Sequence, residues 1–314
     1  MSPFGRNRPP QQTDEERQAA EVDLERIRQG GIPLGAEQRL KRLATASTPF
    51  FTSDLSAKEY ALAQASGLLP VAQVMGSSVV QHGWVGGQVG YYGSSGEVEG
   101  LSEPWNLART RAFDRLRQEA EHADADGVIG IEMSAGGKLG GADNIEYIVF
   151  GTAVRETALP RRGDGDLGMC ALSGQDVDKL RRIGAQVCAV VGHTTVFSVQ
   201  LMPNSNYMLN SSGWFGGPGA GNAEVPEITR GVYEARRRAM GEVRRQAGAA
   251  GANNIVISTL THSIDHREYE QVGGFKYHYF FVTMHVLGTA IRLGAHPPHP
   301  TPMPGPLMSI NLGH

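Results

Sequence analysis

The chain has 314 residues, 29 Lys+Arg against 32 Asp+Glu for a formal charge of −3, and 40% hydrophobic residues. Balanced charge argues against a constitutive nucleic-acid binder, and no apolar run reaches the roughly 20 residues of a membrane helix. Length suits two domains of about 100–200 residues each. Two cysteines, Cys170 and Cys188, are too few for a disulfide framework or a Cys-based zinc site. The polar, Pro-containing start has no apolar signal core, so a cytoplasmic protein with neither nucleic-acid nor membrane partners is expected.

Thr13 reads as the cap of a first helix, with Asp14, Glu15 and Glu16 at its start and Arg26 and Arg28 at its end, matching the helix dipole. Ala20, Leu24 and Ile27 recur at helical spacing, Gly30-Gly31 ends the helix, and Ala36 to Leu43 predicts a second short one. This leader and arm, residues 1–50, would pack on its own chain or cap a neighbouring copy.

An internal repeat organises the rest of the chain. Leu55-Ser56 returns as Leu172-Ser173 and Gly67 as Gly184, both 117 positions later. An apolar strand-like run ending in glycine, Val71 to Gly76, matches Val187 to Gly192, and Gly-rich stretches come next at Gly83 to Gly100 and Ser211 to Gly221. Ala108-Arg109, Ala112 and Ala120 match Ala235-Arg236, Ala239 and Ala247 at an offset of 127. Gly151-Thr152-Ala153-Val154-Arg155 returns as Gly288-Thr289-Ala290-Ile291-Arg292 at 137. The growing offset places insertions in loops. A tandem duplication is expected, with domains at 51–157 and 170–293, a linker at 158–169 and a disordered Pro-rich tail at 294–314.

Each half predicts a short helix, a strand, a Gly-rich hairpin, a long helix and two closing strands. That is an α+β fold, each helix layered on a small, mostly antiparallel sheet. Leu107, Ala112, Leu116, Ala120 and Ala123 are expected to face the sheet, with Arg109, Arg115, Arg117 and Glu121 on the other side. Asp124-Ala125-Asp126-Gly127 reads as a helix-stopping turn. Asp126 and its counterpart Asn253 both suit such a turn, which makes them structural.

This order of elements resembles the YbjQ family, over about 75–155 and again over 190–292. The most specific stretches are Ala123-Asp124-Ala125-Asp126-Gly127-Val128 and Gly151-Thr152-Ala153-Val154. The resemblance implies a small α/β domain that assembles into a ring, typically a pentamer, with a heavy-metal-binding label and no established catalytic activity. The duplication, the arm and the tail depart from single-domain members.

Metal binding needs convergent ligands, and the chain has no Cys-x-x-Cys or His-Glu-x-x-His. The best local grouping is His262, Asp265 and His266 with His278 on the next strand, a set that would suit a divalent transition metal. His193 and His285 read as hydrogen-bonded histidines of the core or an interface, and Cys188 as a buried strand residue. Glu97, Glu99 and Glu103 read as a solvent loop. Trp84, Tyr91, Tyr92, Trp105, Tyr207, Trp214 and Phe215 read as aromatic loop tips that could anchor partners. The arginines of the second long helix read as a solvated face. No motif of nucleophilic or phosphate chemistry is present, so no enzyme is expected.

In the tail, Leu307, Met308, Ile310 and Leu312 recur so that an extended peptide could dock on a sheet edge or fill pockets. The layout resembles the terminal cargo-loading peptides of encapsulin-type shells, without a close residue match. The expected function is non-enzymatic: a homo-oligomeric ring of two YbjQ-like domains per chain that displays this peptide to a protein partner. The alternative is a metal- or small-ligand-binding protein using the pocket between domains or the histidine group.

Overall fold

The structure, a computed structural model, describes residues 13–45, 55–81, 95–137, 144–157, 168–201, 224–270 and 276–294. Most of both Gly-rich stretches, most of the expected linker and nearly all of the tail, including Leu307 to Leu312, lie outside the described residues. So do all the expected aromatic tips except Trp105.

The first half runs α1 (Asp14–Arg28), α2 (Leu34–Thr45), α3 (Ala57–Ala65), β1 (Leu68–Gln81), β2 (Gly96–Glu97), α4 (Glu99–His122), β3 (Gly127–Gly137) and β4 (Asn144–Glu156). The second runs β5 (Gly168–Met169), α5 (Gly174–Arg182), β6 (Gln186–Gln200), α6 (Pro226–Ala249), β7 (Asn254–Glu270) and β8 (Lys276–Arg292). The fold is α+β, with two four-stranded sheets of order β1-β4-β3-β5 and β2-β6-β8-β7. The halves exchange their shortest strands: β2 joins the second sheet and β5 the first.

Alternation along β1 places Ala72, Val74 and Gly76 on the buried side against α4, while Leu69, Met75 and Val79 stay exposed. Gly76 is required by that contact. A Cβ there would lie 1.8 Å from the Ala112 carbonyl oxygen, so α4 sits nearly backbone to backbone on β1. Its apparent sequence partner, Gly192, is not its structural counterpart. Bulges after Pro70 and Val187 bring Ala72 opposite Ala153 and Ala189 opposite Ala290. The offset is therefore 117 along the strand, which makes Met75 the counterpart of Gly192. Gly192 faces Arg109 of α4, on the side of the second sheet away from α6.

The α4 helix departs from the expected facing. Leu107 is exposed, and Trp105 is buried within the helix instead of standing on a loop tip. Glu97 pairs in β2, and Glu99 and Glu103 belong to α4, not to a solvent loop. Cys188 is half-buried at its bulge. Arg115 does not face solvent: Nε donates to the Gly31 carbonyl at 3.2 Å and Nη2 to the Ile27 carbonyl at 3.0 Å, closing the end of α1. The arm starts with the Thr13–Glu16 capping box and docks through buried Ile32 and Leu40, each contributing about 1.5–3 kcal/mol. Arg39 also reaches Glu119, whose carboxylate accepts from the Met75 amide at 2.9 Å; burial pushes the Glu119 carboxyl above its usual range.

Both helix-stopping turns work alike. Asp124 takes φ +55 and its counterpart Gly251 φ +70. Asp126 Oδ2 accepts from the Glu156 amide at 2.9 Å, and Asn253 Oδ1 from the Leu293 amide at 2.9 Å. Asp126→Asn should therefore leave the thermal midpoint within about 2 °C, checked by circular dichroism, because the acceptor oxygen is retained. Gly76→Ala should lower the unfolding free energy by about 1–3 kcal/mol or more in urea titration. Gly241→Ala, on an open stretch of α6 with nothing within 4 Å, should raise it by up to about 1 kcal/mol.

Candidate functional site

A strand at a sheet edge leaves a row of backbone groups unpaired. The edge of β6 is closed by the first half. Gly96 and Glu97 pair with Ser198 and Phe197, and the Val98 amide donates to the Val196 carbonyl at 2.9 Å. Beyond them, side chains of α4 replace a strand. The Val196 amide donates to Ser102 Oγ at 2.9 Å. Asn106 accepts from the Thr194 amide at 3.1 Å and donates to the Thr194 carbonyl at 2.8 Å, as a neighbouring strand would. Glu97 then reaches Arg238 on α6 at 3.1 Å.

The second half returns the contact. β5 runs parallel to β3, and the Gly130 and Ile131 amides donate to the Leu172 and Cys170 carbonyls. The Thr289 hydroxyl accepts from the Ala171 amide at 3.0 Å. Helix α4 consequently has a sheet on both sides, and Val196, Tyr279, Phe281 and Leu287 of the second sheet share one core with Leu101, Trp105 and Leu116. Ser102 and Asn106 were missed in the sequence because hydrophobic periodicity records only apolar positions. Their polar i, i+4 spacing beside buried alanines was the available signal.

A cavity of about 390 Å³ opens beside this joint, lined by Trp105, Thr261, His262, Asp265, Thr283 and His285 among others. Trp105 Nε1 and Thr283 Oγ1 are buried with no hydrogen-bond partner among the described residues. Such groups require a water or a small polar ligand. His285 Nδ1 lies 2.9 Å from Thr194 Oγ1, and its ring meets Trp105 edge-on at 4.8 Å. Burial lowers the His285 pKa to about 4, so the ring is neutral at physiological pH.

The four residues expected as metal ligands separate. His262 and Asp265 line this cavity, whereas His266 and His278 pair with each other, Nε2 to Nδ1 at 3.0 Å, and His266 stacks on Phe280. The β7 ladder sets Asp265 opposite Phe281 and His266 opposite Phe280, on alternating sides of the sheet. His262, opposite Met284, shares the side of His266 and is parted from it by distance along the strand rather than by the alternation. Among the described residues no group of three or more His, Cys, Asp or Glu side chains is placed to hold a metal ion. No described helix is long and apolar enough to cross a membrane.

The sequence has known relatives. The YbjQ family profile, described as "Putative heavy-metal-binding", matches residues 70–157. The encapsulin nanocompartment protein Rv1762c of Mycobacterium tuberculosis is 35% identical over 209 residues, 66% of this chain and 76% of that protein. The chain belongs to the YbjQ family. A UPF0145 protein of Thermotoga maritima is 39% identical over 62 residues, 20% of this chain and 57% of its own. One from Helicobacter hepaticus is 38% identical over 60 residues, 19% of this chain and 56% of its own. Among solved structures none matches. The family profile covers the β1, α4, β3 and β4 unit that carries one side of the joint.

The buried neutral His285 makes stability pH-dependent. Its folded pKa of about 4 lies below the usual 6.5, so its contribution is complete above pH 6.5 and is lost as pH falls toward 4. Urea midpoints should correspond to about 2 kcal/mol less stability at pH 5 than at pH 7.5 from this group. In His285→Gln that part of the pH dependence should disappear.

Proposed function

We propose that this protein is a non-enzymatic assembly protein: two YbjQ-like units, at 51–157 and 170–293, arisen by tandem duplication and associating through copies of one joint into a closed homo-oligomer. The observation that carries this reading is the joint itself. It is heterologous, joining the helix side of one half to the sheet side of the next, and repeated heterologous contacts close into rings when the rotation allows. Because the two units of a chain are already neighbours, a ring of whole chains holds an even number of units. A single five-unit ring is incompatible with that count.

The mycobacterial relative, named an encapsulin nanocompartment protein, supports the second element of the proposal. The C-terminal segment with Leu307, Met308, Ile310 and Leu312 acts as a docking peptide for a shell or other protein partner, and several copies on one oligomer would bind with avidity. The twelve residues Ala295 to Pro306 would span roughly 35 Å if extended.

A second reading is a metal- or small-ligand-binding role. The unpartnered Trp105 N–H and Thr283 hydroxyl in the cavity favour its small-ligand form, since an indole N–H donates a hydrogen bond and does not ligate a metal. The metal form is tested by titrating dialysed protein with zinc, copper and nickel: saturable binding supports it, and absence of binding removes it.

Light scattering should give twice 33.7 kDa or a higher whole multiple of it at micromolar concentration; a monomer would remove the assembly reading. Deleting Pro306 to His314 should leave the number of chains per particle unchanged while abolishing co-purification with an encapsulin shell protein. Unchanged recovery would remove the docking role.

A further inference from the structure

The two halves correspond position by position. β1 maps to β6 at an offset of 117, α4 and β3 to α6 and β7 at 127, and β4 to β8 at 137. Each half therefore carries two contact surfaces, a helix side and a sheet side. The internal joint uses the helix side of the first half and the sheet side of the second, and leaves the other two open.

The open sheet side is apolar where its counterpart is covered. Val196 is fully buried beneath α4, whereas its counterpart Val79 is 60% exposed. Met75, at the position of Gly192, is 48% exposed. Glu132 and Glu146 stand on the same face, opposite Phe150 and Val79 in the ladders, and both are exposed. The open helix side is basic: α6 presents Arg236 at the position of Arg109, with Tyr233 68% exposed at the position of Asn106. An acidic-rimmed apolar face and a basic helix complement each other.

One polar arrangement recurs in detail. In the internal joint Ser102 Oγ donates to Glu97 Oε1 at 3.4 Å, leaving Oε2 for Arg238 of the other half. On the open side Thr229 Oγ1 donates to Glu224 Oε1 at 2.7 Å, so the same pair stands ready. The counterpart of Arg238 is Arg111, exposed on α4. The change from Asn106 to Tyr233 also has a reason. Asn106 satisfies the Thr194 carbonyl, but the counterpart carbonyl, Ser77, already accepts from Arg115 of its own half.

We infer that a second copy of this chain seats its α6 on the open face of the first sheet, with Glu224 of one copy paired to Arg111 of the next. This rests on the assembly reading and specifies its interface. The test uses full-length Glu224→Arg, Arg111→Glu, the double charge swap, and Val79→Arg, each followed by light scattering over a concentration series with circular dichroism to verify folding. Each single reversal should weaken association about tenfold, since it replaces an attraction with a like-charge contact. The double swap should restore it to within about threefold, and Val79→Arg should yield 33.7 kDa chains. If the wild type is oligomeric and neither the reversals nor Val79→Arg changes its mass, this interface is wrong and the assembly reading stands. A wild-type monomer overturns both.

Discussion

Closure of strand edges is the constraint on which the architecture turns. The outer edge of β6 would leave backbone amides and carbonyls buried without partners, each costing about 1–3 kcal/mol. The chain meets this requirement with β2 and with Ser102 and Asn106, side chains of a helix that belongs to the other half. Once those bonds form, the second sheet must lie against α4. The mixed core, the cavity and the exposed faces at the ends result from that position.

Helix α4 consequently serves two surfaces at once. Toward its own sheet it is lined by Ala108, Ala112 and Ala120, small enough for the close approach that Gly76 also permits. Toward the second sheet it carries Trp105, Ser102, Asn106 and Arg109. Helix α6 has the same alanine lining, Ala235, Ala239 and Ala247, toward its own sheet. Its other side has no sheet among the described residues, and there it carries Tyr233 and arginines. The difference between the two helices is therefore confined to the side whose environment differs.

The cavity lies at the same joint, where Trp105 of the first half meets Thr283 and His285 of the second, and it is lined with hydroxyl groups, an indole N–H and a neutral histidine. His285 was legible as a hydrogen-bonded interface histidine, because a histidine within an apolar strand must find a partner. Its partner Thr194 and its neighbour Trp105 were not, since they come from elements 91 and 180 positions away. Trp105 read as a loop tip because glycines precede it, and its helix begins only at Glu99.

Local pattern alone determined much of this protein. The repeated Gly-Thr-Ala strand, the Ala-Arg helix, the Asp/Asn turns and the Thr13 cap specify elements through bonds and packing within a few residues, or through matching between the halves. The α+β class followed from them. Tertiary structure alone decided which glycine faces the helix: both strands bulge at the equivalent place, so the ladders pair at an offset of 117, and Gly192, 116 positions after Gly76, falls on the opposite side of its sheet. It also decided that His262 and Asp265 part from His266 and His278, and that β2 and β5 cross between the sheets. Strand alternation and edge pairing depend on partners distant in sequence, and no window of the chain contains both members of such a pair.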